Sequence, residues 1–239
     1  MSPRFLVSAR AGERARIACI WTLLAIAAAV MFAPILIVFL TSLKPGEEVR
    51  VSSFTLLPRA WRVRNYVDAF SRGEWGLYYY NSFVVTVVSV AGSLLLNSLA
   101  GYSFARLAFP LKNLIFMLLL AGIMIPPQSI IIPQFLILKG IPLAGGNDVL
   151  GRGGRGLLNT RWALIIPELS GSFGIFLCRQ FYLGFPRSLD EAARIDGATS
   201  FTTFGRVFLP LSGPILATLA VLKTIHMWNN FFFPLIMRK

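Results

Sequence analysis

Long uncharged apolar stretches alternate with short polar ones along this chain. Residues 17–40 carry no charge over 24 positions. At about 1.5 Å per residue, a helix of that length crosses the roughly 30 Å hydrocarbon core of a bilayer. Pro34 inside it is expected to kink the helix rather than end it. Further apolar runs occupy residues 81–105, 113–138, 162–178 and 207–237. In the second run Ser89, Ser93, Asn97, Gly101 and Ala105 recur every four residues, giving one face of small, weakly polar side chains. Such a face suits close helix packing in lipid, with the lining of a polar path as its alternative use. The third run is interrupted by Pro126, Pro127 and Pro133, so it is expected to be broken and buried in protein.

The fourth run holds Glu168. A charge at mid-depth costs about 2.5–3.5 kcal/mol, and each Leu, Ile or Phe returns only about 0.3–0.6. Its eight such residues little more than offset the acid. The span is expected to lean on its neighbours, with Glu168 facing inward. Lys223 and His226 lie three apart on one face of the fifth run, before Trp228, Asn229 and Asn230. Interior pairing, with Glu168, is favoured for them over contact with a substrate.

The polar segments complete the picture. Residues 1–16 set Arg4, Arg10, Arg14 and Arg16 against Glu13, a cytoplasmic flank for a first span. Residues 41–75 read as an external loop with a short surface helix, closed by the aromatic belt Trp75, Tyr78, Tyr79 and Tyr80. Residues 151–156 match G-x-G-x-x-G in letters, but no strand precedes them and no helix follows. They are expected to form a flexible external loop. Arg106 and Lys112 mark a short inner loop.

Residues 186–210 form a polar, helix-forming island. Ser188 and Glu191 stand in capping-box spacing, and Pro186 and Asp190 suit the same N-terminus. Asp190 and Arg194, four apart, are expected to pair on the wet face. Leu189, Ala192, Ala193 and Ile195 supply an apolar side with little bulk. Gly197 ends the helix where a left-handed residue is cheap. A second helix begins near Thr199 or Ser200, with Phe201, Phe204 and Phe208 on one stripe, and Leu209 and Pro210 lead into the last run.

Composition agrees with the pattern. Hydrophobic residues make up 56% and charged ones 14%, against about 25% charged in soluble domains. The net charge of +13 sits between apolar runs, with no basic helix face or aromatic platform. Anionic lipid is therefore its expected partner, and nucleic acid is not. Cys19 and Cys178 fall in apolar runs as free thiols, and residues 17–40 read as a retained anchor rather than a cleaved signal. A lone histidine and no nucleophile with a base leave little for enzymatic chemistry, intramembrane hydrolysis included. The P-loop pattern is absent, so the chain is not expected to hydrolyse ATP. Counting Lys and Arg, ten fall in the proposed inner segments and ten in the outer loops, so orientation rests on the 186–210 island.

At that island a resemblance becomes specific. Glu191-Ala192-Ala193, then Gly197, then Val207-Phe208-Leu209-Pro210 resembles the EAA loop of bacterial ABC-importer permeases. The variant from Ala193 to Ala198, with Asp196 inside it, is similar to the carbohydrate-uptake, maltose-type branch. Thr41-Ser42-Leu43-Lys44-Pro45, Asn65-Tyr66, the stretch from Ala100 to Arg106, Trp228-Asn229 and Pro234-Leu235 resemble the smaller permease of that branch; Lys223 and His226 are less usual there.

The resemblance implies an all-α integral membrane protein, one transmembrane domain over residues 1–239, with five spans here where the family has six. The family continues beyond Arg238 and Lys239 with one more span, so this chain is expected to be shortened or to borrow its last helix. The 186–210 loop is implied to be a cytoplasmic helix-turn-helix coupling element, its contacts made by Ser188, Asp190, Glu191, Ala192, Ala193, Asp196, Gly197, Leu209 and Pro210. Asn97, Glu168, Trp228 and Asn229 are candidates for the substrate pathway. Implied partners are a second homologous permease, two ATP-binding subunits that hold the ATP, and an extracytoplasmic solute-binding protein. No cofactor or metal of its own is expected. The protein is then a multi-pass bacterial inner-membrane subunit with its N-terminus cytoplasmic, importing a sugar or oligosaccharide. Import of a non-sugar solute, and proton-coupled secondary transport with Glu168 as relay, are the alternatives.

Overall fold

The computed structural model describes residues 3–50 and 55–237. The side chains of Arg4, Arg10 and Arg14, and all of Arg238 and Lys239, lie outside the described residues. No strand occurs among the described residues, and the chain forms two compact units, Met1–Trp75 and Gly76–Lys239.

In the first unit α1 (Pro3–Ser42) runs unbroken through Pro34, and its stretch Arg16–Ser42 is long and apolar enough to cross a membrane. Two short helices follow, α2 (Gly46–Arg50) and α3 (Arg64–Arg72). The end of α1 is capped from a distance: the Asn65 amide donates to the carbonyls of Ser42 at 2.9 Å and Lys44 at 2.8 Å. The Tyr66 and Ser42 hydroxyls are 2.6 Å apart. These bonds satisfy carbonyls that a helix terminus leaves open. Lys44 is buried and donates to the Thr55 carbonyl, while the Thr55 hydroxyl donates to Glu48 at 2.7 Å. That hydrogen bond holds the Glu48 carboxyl below its ordinary value, against the opposing effect of desolvation.

The second unit is built on α4 (Trp75–Arg106), whose four-residue stripe is buried at Ser89, Ser93, Asn97 and Gly101. Close packing is the use the structure makes of it. A Cβ on Gly101 would lie 2.5 Å from the Cβ of Cys178 and 2.9 Å from the Arg179 nitrogen. Only glycine admits that crossing.

The third run divides into α5 (Lys112–Ala121), two 3₁₀ turns and α6 (Ile131–Lys139), with a 102° bend at the prolines. The break is as expected; its burial is not. Residues 121–130 are exposed on this chain, while α5 packs against α8 (Ser172–Leu183) and α6 against α13 (Phe232–Met237).

The loop after α6 is not slack either. The Asn147 amide donates to the carbonyls of Lys139 and Ile141, and its oxygen accepts from Gly154 at 2.8 Å. Gly151 sits at φ +77° with its backbone against the Gly140 carbonyl. These glycines serve close backbone approach rather than a phosphate.

The fourth span, Arg161–Leu183, consists of α7 (Arg161–Ile165), a 3₁₀ turn over Ile166–Glu168 and α8 (Ser172–Leu183). Then come α9 (Ser188–Ile195), α10 (Ser200–Thr203), a π turn over Phe204–Phe208, α11 (Leu209–Leu211), α12 (Gly213–Trp228) and α13 (Phe232–Met237). The fifth apolar run is therefore not one helix. It bends by 77° between Ser200–Leu211 and Gly213–Trp228, and the helix stops at Asn229. There the Asn229 amide returns to the Ile225 carbonyl and Asn230 receives the Phe233 amide, so α13 starts anew. Among the described residues, three helices are long and apolar enough to cross a membrane, or up to five if each bent pair is one span.

Candidate functional site

The segment between the fourth span and α12 begins one residue earlier than the capping-box spacing suggests. Asp190 and Glu191 donate their amides to the Arg187 carbonyl at 3.0 and 3.1 Å, and Leu189 donates to Pro186 at 3.4 Å. Arg187 occupies the cap position, and no side chain caps it. Ser188 is the first helical residue and not a cap. Proline, with its preset φ, starts the turn and shifts the register upstream.

The C-terminus of α9 follows expectation. Gly197 has φ +73°, its amide reaches the Arg194 carbonyl at 3.0 Å, and the Ala198 amide reaches Ala193 at 2.9 Å. This pair of bonds is a Schellman closure, with the left-handed residue at the position where glycine carries no Cβ penalty. Asp196 is the C-cap residue. Thr199 then caps α10, accepting from the Thr202 amide at 3.2 Å.

Asp190 does not pair with Arg194. Its partner is Arg106, the last residue of α4, at 3.0 Å. The Arg106 side chain is only 7% exposed. It also donates to the carbonyls of Tyr182 (2.5 Å) and Phe185 (2.6 Å), and its guanidinium lies 5.1 Å from the centre of the Phe208 ring. One guanidinium thus ties the exit of α4 to the end of α8, to α9 and to the π turn. Sequence reading placed Arg106 only as a marker of an inner loop. Its partner is 84 residues away, beyond the reach of any local spacing.

The apolar side of α9 is split. Ala193 is buried and Leu189 half-buried, whereas Ala192 and Ile195 are open, Ile195 at 86% exposure. The phenylalanine stripe also divides: Phe204 and Phe208 are buried but Phe201 is 73% exposed. The π turn over Phe204–Phe208 carries the two buried rings, and Phe201, in the helical turn before it, stays outside that packing. Leu209 is half-buried and Pro210 exposed as the chain enters α12. Beside α9 a cleft of about 730 Å³ is lined by Arg106, Lys112, Arg187, Asp190, Glu191 and Arg194, among others.

The four pathway candidates each have partners of their own. Asn97 is buried and donates to Ser93 at 2.7 Å, while its oxygen accepts from the Gly171 amide at 3.0 Å and the Ser170 hydroxyl at 3.2 Å. Glu168 pairs with Lys223 and lies 3.6 Å from His226, the interior pairing expected. Trp228 lines a small cavity of about 140 Å³ with Asn81, Thr86 and Asn230, and Asn229 closes α12. Among the described residues no group of three or more His, Cys, Asp or Glu is placed to hold a metal.

Residues 97–237 match the family model for the binding-protein-dependent transport system inner membrane component. The chain is 32% identical over 219 residues to a probable ABC transporter permease protein, YurM, of Bacillus subtilis, covering 91% of this chain and 68% of that one. It is 35% identical over 208 residues to the arabinooligosaccharides transport system permease protein AraQ of Halalkalibacterium halodurans, covering 85% and 69%. With the diacetylchitobiose uptake system permease protein NgcG of Streptomyces coelicolor it shares 33% identity over 232 residues, covering 96% and 72%. Among solved structures, it is similar to a chain of a bacterial ABC transporter involved in the import of the acidic polysaccharide alginate. The TM-score is 0.74 at 25% identity, covering 95% of this chain and 76% of that one.

Proposed function

The chain belongs to the family of binding-protein-dependent transport inner membrane components, and from that premise we propose how it works. It is a multi-pass permease subunit of an ABC importer for a sugar or oligosaccharide. It works with a second, homologous permease and two ATP-binding subunits, and receives its solute from an extracytoplasmic binding protein. ATP is bound by those subunits, and this chain needs no cofactor of its own. The N-terminus and the loop of residues 186–210 face the cytoplasm of a bacterial cell, and α9 seats in the ATPase.

The grip of Arg106 on α9, α8 and the π turn is the observation that carries the coupling role. A helix so held passes displacement of the ATPases into α4 and α8 as a rigid body, switching access from one side to the other. Gly197 sets the turn at the far end, Ala192 leaves room for close approach, and Glu191 meets the partner beside it.

Gly197→Asp puts a side chain at φ +73°. It is expected to abolish uptake and weaken co-purification of the ATPase while the permease still inserts; normal uptake by that variant refutes the docking role. In de-energised vesicles, ATP supplied inside is expected to drive uptake. Transport that follows a proton gradient alone overturns the ABC mechanism.

A further inference from the structure

The helix α3 has a sharply two-sided surface, and among the described residues its apolar side is left mostly open, with Trp75 resting against Phe70 at one end. At 100° per residue, Val63, Val67 and Phe70 fall on one stripe, and Arg64, Asp68 and Arg72 fall opposite. Val63 is 65% exposed, Val67 64% and Phe70 67%. Arg64 and Asp68 face each other at 3.6 Å on the polar side.

The position of α3 is fixed at both ends. At its start, Asn65 and Tyr66 bind the last turn of α1, where the membrane-length stretch Arg16–Ser42 finishes. At its end, only Gly73 and Glu74 separate it from Trp75, the first residue of the 32-residue helix α4. Three peptide steps reach no further than about 11 Å. The Trp75 indole folds back to donate to the Ala69 carbonyl at 2.9 Å and rests against Phe70, ring centres 6.1 Å apart. A helix tied to the last turn of a membrane-length helix stays at the level of that terminus, which is the headgroup region.

We propose that α3 lies in the plane of the membrane surface, its stripe Val63, Val67 and Phe70 seated at the boundary between phospholipid headgroups and acyl chains. Trp61, 61% exposed just before the helix, is a further candidate for an interfacial anchor. Arg64 and Arg72 supply donors for lipid phosphates from the polar side. The inference rests on the membrane character of the chain and not on its transport role.

Nitroxide labels on Val67→Cys, Phe70→Cys, Arg64→Cys and Arg72→Cys test it, in a Cys19→Ser background. Cys178 is fully buried and takes no label. The full chain is reconstituted in vesicles of phosphatidylethanolamine and phosphatidylglycerol. Collision rates with oxygen, which favours lipid, are compared with those of a water-soluble nickel chelate. Oxygen is expected to dominate at Val67 and Phe70 and nickel at Arg64 and Arg72, so the ratio inverts across the helix. A label at Leu95→Cys, exposed inside α4, reports on the span itself. Nickel dominance at Val67 and Phe70 with oxygen dominance at Leu95 refutes the interfacial helix and leaves the membrane reading intact. Shielding of Val67 and Phe70 from both reagents also refutes it, in favour of a protein cover. Nickel dominance at Leu95 refutes the membrane reading.

Discussion

Tyr182 is fully buried, and its hydroxyl sits where three helical segments meet. Ser98 of α4 is 2.5 Å from it, and Ser212, at the bend before α12, is 2.9 Å from it on the other side. Ser212 is also 2.5 Å from the Phe208 carbonyl. A serine has one proton, and the carbonyl can only accept, so Ser212 donates there and receives from Tyr182, which in turn receives from Ser98. The direction of the whole relay follows from that count. Tyr182→Phe removes its centre and strands the buried Ser98 hydroxyl, while Ser212 keeps its bond to the Phe208 carbonyl; the expected loss is about 1–3 kcal/mol, read as a lowered melting temperature in detergent. A second single-residue effect concerns Glu48. Its carboxyl is held below 4.5 chiefly by the Thr55 hydroxyl. A lowered carboxylate stabilises the fold at pH above its ordinary value, and that contribution disappears as pH falls through the lower folded value. Thr55→Val is expected to move the Glu48 titration upward, as followed by carboxyl carbon NMR.

At the scale of elements, the pair Glu168–Lys223 joins the broken fourth span to α12. Both side chains are mostly buried, 19% and 15% exposed. Lys223→Met leaves an acid among helices and is expected to cost about 3 kcal/mol. Adding Glu168→Gln is expected to recover most of that, with the coupling read from a double-mutant cycle of thermal unfolding. Additive losses would show that the two do not act as a pair. This junction was legible in sequence, because a lone acid in an apolar run has few cations it can meet. Other junctions were not. Ser188 has the spacing of a cap, but Pro186 opens the turn first. Phe201 has the spacing of a core residue but is exposed, and the two buried rings sit on a π turn that nothing in residues 204–208 announces. The proline-rich third run was readable as broken, since proline lacks an amide. Where its corner would stand depended on which helices the two halves chose to pack against, a long-range matter.

For the molecule as a whole, the membrane class was plain from uncharged runs of bilayer length, and Gly197 was plain from the backbone it must adopt. The central fastening was hidden, because Arg106 and Asp190 meet only once the chain between them has crossed and returned. The outward face of α9 is the corresponding feature for assembly. Ile195→Asp changes a side chain that is 86% exposed, so the isolated permease is expected to melt within about 0.5 kcal/mol of the parent. ATPase co-purification is expected to fall at the same time. A drop in melting temperature together with intact co-purification would assign Ile195 to folding instead. The fastening itself has a mechanical consequence. One guanidinium holds two backbone carbonyls, the Asp190 carboxylate and the Phe208 ring at once, which leaves little slack between α9 and the end of α4. On the coupling role proposed for α9, a stroke applied there would pass along α4 towards the Gly101–Cys178 crossing, with its reach set by lever lengths more than by the softness of a hinge.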